Sequence, residues 1–586
     1  MSPSSVPTAS MPAASAPTPP VPSATAESPE LHSAASEPAA CESTREPENG
    51  RSRTVCMRRM RRGTVDALLV GLLGFTLAVA FSWVPSLWYD EAATVIGATR
   101  SWAQLADMLD SVDAVHGLFY ALMHVWFDLV GYTPFTLRLP SAIATGVAAS
   151  LMVPLVRRFA PRATAVLAGL MFCLLPRITW MGEEGRSFAL STVCALLLTL
   201  VFLTASWRSA TSRVVRPTAP GAGPRVAWLW WLLYCVVAIV ATTLFLYVSL
   251  VVVAHGVTLA WTALAARRRA GWARGWGAAI RGWLAASVTA GLVLLPFAAE
   301  VVGQAGQVSW IKKIGATTFD DIVVVQWFLF NPAFAAFGWL LILGGLGVLA
   351  RRAWQRRSAT TRAASAEPAS EAAMPSLLAL VVPWLVVPTL VLIVLSLAMT
   401  PVFSPRYLAC AAPAAAILMA IAVSSLPRRW LRVTAVLACV VLTAPGYIAQ
   451  RLPEAKQQSS WNEVADLIAA ERAQEPAGAG EAIIYGPVRQ HPSATTRVIA
   501  YSYPDAFDGL VDVKLKTPAA QTGQLWETRY PLDEVTDRFT GIDTVWLVTS
   551  NRQDWRPSVT AKLAALGYDL NTEWNLTGVN VLRFAK

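Results

Sequence analysis

The sequence has 586 residues, of which 55% are hydrophobic and only 15% charged, with 24 tryptophans. Soluble domains carry about 25% charged residues, so this composition, with a mean hydropathy of +0.46, excludes a large soluble core and points to a polytopic membrane protein. The net charge of +11 resembles that of a nucleic-acid binder, but the basic residues stand in short clusters between apolar runs, as in cytoplasmic loops, and no nucleic-acid partner is expected.

Residues 1–62 read as a cytoplasmic tail. Its first fifty residues are low-complexity Pro, Ser, Ala, Thr and Glu and are expected to be disordered, because such a composition buries too little apolar surface. No signal-peptide pattern is visible, since the first apolar run begins only after Arg62. Arg51, Arg53, Arg58, Arg59, Arg61 and Arg62 should hold this end in the cytoplasm.

The first span is expected from Val65 to Leu87, long enough to cross the membrane, and delivers Asp90-Glu91 to the external face. Ser101 to Val130 follows, amphipathic, with Trp102, Leu105, Leu109 and Val112 at helical spacing opposite Gln104, Asp107 and Asp110. It predicts one or two helices lying on the external surface. Ten further spans follow at about 136–156, 163–178, 187–206, 227–242, 243–266, 283–299, 334–350, 376–398, 407–425 and 431–448. Arginine clusters at 157–158, 208–216, 267–269, 351–357 and 428–432 fall on one side of this eleven-span topology. A polar loop at 358–374 lies on that same side. The transmembrane domain therefore covers 63–449, and the C-terminus lies outside.

From 450 to 586 the composition becomes that of a small external α/β domain. Ser460–Ala473 and Ser558–Leu566 read as helices. Ala482–Tyr485, Arg497–Tyr501, Thr544–Val548 and Val579–Phe584 read as strands. No Gly-rich phosphate loop is present. The seven cysteines, Cys41, Cys56, Cys173, Cys194, Cys235, Cys410 and Cys439, show no metal-ligand spacing and no disulfide framework.

Four external groups stand out: Asp90-Glu91; His116 with Tyr120; Glu183, Glu184 and Arg186; and Arg406-Tyr407, with Lys312 and Lys313 as helpers. A carboxylate can take a proton from an attacking hydroxyl, and a guanidinium can hold a phosphate by two bonds. Together they suit sugar transfer from a lipid phosphate to an alcohol. Taken singly, each group has an ordinary alternative. Asp90 and Glu91 are interfacial charges, His116 a helix cap, and Glu183, Glu184 and Arg186 a local ion pair. Lys312 and Lys313 are headgroup contacts, and Arg406 is a snorkelling side chain.

The arrangement resembles the GT-C superfamily of membrane glycosyltransferases, and within it the branch of protein O-mannosyltransferases and lipid A aminoarabinose transferases. In that branch an Asp-Glu pair follows the first span and a D…H…LYY pattern comes next, to which Asp113-Ala114-Val115-His116-Gly117-Leu118-Phe119-Tyr120 is similar. Gly182-Glu183-Glu184-Gly185-Arg186-Ser187-Phe188-Ala189-Leu190 resembles a QEARSYAL-like box, with Glu183, Gly185 and Phe188 where the pattern has Gln, Ala and Tyr. Arg406-Tyr407-Leu408-Ala409-Cys410-Ala411-Ala412-Pro413 resembles an RYLLPALP-like box. The likeness covers roughly 85 to 420. The Ala- and Arg-rich composition resembles that of actinobacterial membrane proteins.

The resemblance implies a mostly α GT-C fold and an inverting transfer in a bacterial plasma membrane. The donor would be a polyprenyl-phosphate sugar, mannose first, and the acceptor an external cell-envelope glycan, glycolipid or protein. Asp90 would be the general base, with Glu91 positioning or polarising the site. Arg406 and one of Lys312 or Lys313 would hold the phosphate, and Glu183 and Arg186 would wall the site or bind sugar. His116, Tyr120 and Tyr407 would complete the substrate contacts. Some relatives need a divalent cation and many do not; no metal cage is visible here. The alternatives are an arabinosyltransferase, a lipid or solute transporter, and a scaffold whose soluble domain binds cell-wall polymer.

Overall fold

The computed structural model describes residues 50–211, 224–267, 273–362, 374–475, 480–488 and 491–586. The expected disordered stretch up to residue 49, most of the 358–374 loop, and Arg213, Arg216, Arg268 and Arg269 lie outside the described residues. Helix α1 runs Gly50–Val79, so the arginine-rich end of the expected tail is helical. Arginine is a good helix former and continues the helix of the apolar run after it.

Helix α1 stops at Val79, not at Leu87. Phe81 has φ 58°, and Pro85 disfavours helix at the residue before it. Asp90 and Glu91 therefore lie in the first turn of α2 (Tyr89–Ala98), where acidic side chains complement the helix dipole. The external helices are α3 (Trp102–Leu109) and α4 (Gly117–Val130). Leu105 and Met108 are the buried residues of α3, while Trp102 is exposed.

The bundle continues through α5 (Pro134–Arg157), α6 (Arg162–Leu174), α7 (Pro176–Gly182), α8 (Phe188–Thr211), α9 (Pro224–Leu244) and α10 (Ser249–Arg267). It goes on through α11 (Ala273–Val293), α12 (Leu295–Gly303), α13 (Pro332–Arg362), α14 (Leu377–Ala398), α15 (Ala412–Ser424) and α16 (Arg429–Ala449). A 3₁₀ turn, Pro405–Ala411, leads into α15.

Among the described residues eight helices are long and apolar enough to cross a membrane, or up to ten if each bent pair counts once. The apolar part of α1, Gly63–Val79, is shorter. Each of the eleven expected spans thus corresponds to a helix, but not each to a straight one. The pair α6–α7 bends by 67°, because Pro176 forces Leu175 into extended backbone at ψ 124°. The pair α11–α12 bends by 52°. The break between α9 and α10 falls at Phe245, beyond the expected Thr242-Thr243.

The C-terminal part holds α17 (Trp461–Arg472), β1 (Glu481–Tyr485), α18 (Arg497–Ser502), β2 (Val511–Asp512), β3 (Thr544–Ser550), α19 (Arg556–Ala565), β4 (Asp569–Leu576) and β5 (Val579–Ala585). The sheet order is β2-β1-β3-β5-β4. Strand β1 is parallel to β2 and β3, and β5 is antiparallel to β3 and β4. Arg497–Tyr501, expected as a strand, is helix α18. Its buried residues Arg497, Val498, Ile499 and Ser502 fall at helical rather than alternating positions. One face of the sheet does not make a core of its own. Trp461, Ile483 and Val548 share one with Leu87, Val95 and Phe119, which seats the domain on α2–α4.

Candidate active site

Two of the expected groups meet at the start of α2. Asp90 Oδ2 lies 2.5 Å from Arg406 Nη1, and the two side chains are 20% and 19% exposed. The Arg406 guanidinium sits over the rings of Trp310 at 4.9 Å, Trp88 at 5.6 Å and Tyr407 at 5.8 Å. Aromatic faces attract a cation that burial has partly stripped of water. Tyr407 stacks on Tyr247 with ring centroids 4.8 Å apart.

Glu91, next in sequence, faces elsewhere. It is fully buried against Arg138, which donates from Nε to Oε1 at 2.8 Å and from Nη2 to Oε2 at 2.6 Å. The other guanidinium N–H groups reach the carbonyls of Ser82, Pro85 and Ser86. The Gly185 N–H donates to Glu91 Oε1 at 2.9 Å. Nothing here is open to a substrate. Glu91 ties α2 to α5 and to the turn after α7.

Arg186 gathers the second group. Its Nη2 donates to His116 Nε2 at 2.7 Å, and its Nη1 reaches Tyr120 Oη at 3.2 Å and the Asp90 carbonyl at 3.1 Å. Tyr120 in turn donates to Asp113 Oδ2 at 2.8 Å. Burial, and then the adjacent Arg186 charge, hold His116 well below its usual value, so it is neutral. Guanidinium cannot accept a hydrogen bond, so Nε2 accepts and Nδ1 carries the proton. That Nδ1 is buried and has no partner among the described residues.

Glu183 does not line a wall. It is buried against Arg451 Nη1 at 3.2 Å and Lys456 Nζ at 3.4 Å, both from the segment that joins α16 to α17. Glu184 is also buried, its Oε1 is unpartnered among the described residues, and burial pushes its carboxyl up to about 7. Lys312 and Lys313 are exposed and form no ion pair among the described residues. It is the nearby Trp310 that reaches Arg406. Gly185, where the pattern has Ala, is explained by packing: a Cβ there would lie 2.6 Å from Leu137 Cγ. Phe188, where the pattern has Tyr, packs edge-on against Phe245 at 5.3 Å.

No protein-family model matches the chain, and no curated protein does. Among solved structures it is similar to ArnT from Cupriavidus metallidurans bound to undecaprenyl phosphate. Identity is 13%, coverage is 89% of this chain and 97% of that one, and the TM-score is 0.51. The apo form of the same protein gives 12%, 91%, 98% and 0.51. The chain has the GT-C fold. The archaeal oligosaccharyltransferase AglB from Archaeoglobus fulgidus is matched at 12% identity, 89% and 74% coverage and a TM-score of 0.47.

Within this GT-C fold, sequence reasoning missed Arg138, Lys456 and Trp310. Arg138 carried a signal: an arginine in the first turns of a span requires a buried partner. Lys456 carried none, since its partners stand some 270 positions earlier. Among the described residues no three His, Cys, Asp or Glu side chains group as a metal site.

Proposed function

We propose that the chain is an integral membrane glycosyltransferase of a bacterial plasma membrane. It moves a sugar, mannose first, from a polyprenyl phosphate to an external envelope acceptor. The observation that carries this reading is the Asp90–Arg406 pair at 2.5 Å, a carboxylate and a guanidinium at the start of α2 with part of each side chain exposed. Similarity of fold to ArnT, solved with undecaprenyl phosphate, supports a lipid-phosphate donor. The donor phosphate takes the guanidinium of Arg406 and so frees an Asp90 oxygen. The acceptor O–H gives its proton to Asp90, its oxygen bonds to the anomeric carbon, and the bond from that carbon to the phosphate oxygen breaks. One displacement of this kind inverts the centre. The polyprenyl phosphate leaves on Arg406.

His116, Tyr120 and Arg186 hold the wall beside Asp90. The test is transfer by purified protein from a panel of labelled polyprenyl-phosphate hexoses and pentoses. Transfer from the mannose donor is expected. Use of the arabinose donor alone would replace the sugar, and transfer from none would overturn the reading.

A further inference from the structure

We propose that the crevice between the Lys456–Ser459 segment and the Thr577-Gly578 turn is the acceptor subsite, and that it takes a hydroxyl-bearing edge of a neutral glycan. This inference rests on the glycosyltransferase reading above and names its acceptor class. The crevice holds a cavity of about 40 Å³, with Trp88, Tyr89 and Trp461 among its walls. A water needs roughly 10–15 Å³ of such volume, so about three water-sized groups fit. That is room for a hydroxymethyl group and a neighbouring hydroxyl, with the rest of the ring outside.

Position supports the assignment. Trp88 directly precedes Tyr89-Asp90 and has the Arg406 guanidinium 5.6 Å from its ring. One indole thus borders both the phosphate-binding cation and this cavity.

Chemistry supports the ligand class. Trp88 is 5% exposed, and its Nε1–H is buried without a partner among the described residues. A buried donor of this kind is costly to leave unpaired. Gln457 and Thr577 add an amide and a hydroxyl to the wall. The one charged wall residue, Lys456, is already committed, with Glu183 Oε1 at 3.4 Å and the Trp180 ring at 3.6 Å. An anionic or cationic acceptor therefore finds no free countercharge. Aromatic faces with a few placed hydrogen-bonding groups suit a neutral polyol.

The test compares wild type, the double variant Gln457→Leu/Thr577→Val, and the filling variant Thr577→Phe as full-length protein in nanodiscs. Acceptors are neutral hexose and pentose oligosaccharides and, separately, hydroxyl-bearing peptides. The double variant should raise the oligosaccharide KM about tenfold, the loss of one or two hydrogen bonds, with donor KM unchanged. Thr577→Phe should abolish oligosaccharide use while donor hydrolysis by water persists. An unchanged acceptor KM in both variants, or transfer to peptides only, would overturn the proposal. Should wild type transfer no sugar at all, the reading beneath fails instead. Quenching of tryptophan fluorescence by the same oligosaccharides still decides the subsite: quenching lost in Thr577→Phe upholds it, and quenching absent from wild type or unchanged in the variant rejects it.

Discussion

Arg406 serves two partners in this account: Asp90, on which it now rests at 2.5 Å, and the donor phosphate that competes for the same fork. Arg406→Ala removes a charge-assisted contact of about 1.5–3 kcal/mol, so donor KM should rise roughly 10- to 100-fold. Arg406→Lys should recover only part of that, because an ammonium cannot bind bidentately. Unchanged donor kinetics would return Arg406 to a snorkelling role. Glu184 gives a pH signature. Its carboxyl is raised by burial from 4.5 to about 7, so the folded state holds a proton that the unfolded chain has already released. The contribution of Glu184 to stability should therefore fall as pH rises from about 4.5 to about 7 and be constant on either side. Glu184→Gln should remove that slope, gaining on wild type through the window and keeping the gain above it. Parallel thermal-unfolding curves for the two proteins across this range would contradict the assignment. Asp90, His116, Arg186 and Arg406 were legible because each stands in a quotable motif. Glu91 faces away from Asp90, as expected of neighbouring side chains on a helix; its partner Arg138, 47 positions on, is what the sequence did not show.

The element most dependent on one contact is α2, pinned to α5 by Glu91 and Arg138, both fully buried. Removing one partner of such a pair typically costs about 3–5 kcal/mol, because the other charge stays buried and unpaired. Arg138→Met should therefore unfold the protein well below the wild-type temperature, and Glu91→Gln/Arg138→Met should recover part of the loss. A double variant no better than the sum of the singles would mean that the pair does not act as a unit. Apolar length and arginine spacing made the spans readable, since helices are the open way to satisfy a backbone in lipid. The ends were less readable. Val79, Leu175 and Phe245 stop or bend helices inside runs that hydropathy counts as continuous. The helix at Arg497–Ser502 was hidden because Val498 and Ile499 look β-prone until their neighbours on α17 and α2 bury a helical face.

At the scale of the whole molecule, the C-terminal domain packs on the helices that carry the candidate site. It shares a core with α2–α4, and the Tyr503 hydroxyl accepts from the Leu87 N–H at 2.9 Å. Contacts between residues some 400 positions apart leave no local trace, which is why the composition change at 450 marked the domain but not its seat. The proposed topology puts the N-terminal tail in the cytoplasm and everything after Gln450 outside. A phosphatase fused after Gln450 should be active only outside, and cytoplasmic activity there would break the topology. The central claim is that Asp90 takes the acceptor proton. Asp90→Asn keeps the size and most hydrogen bonds but not the base. Its direct measurement is the turnover of sugar transfer by purified Asp90→Asn protein shown to fold and to bind the polyprenyl-phosphate donor. A loss of roughly 10²–10⁴-fold is predicted, the range for a general base; transfer near the wild-type rate would contradict the account.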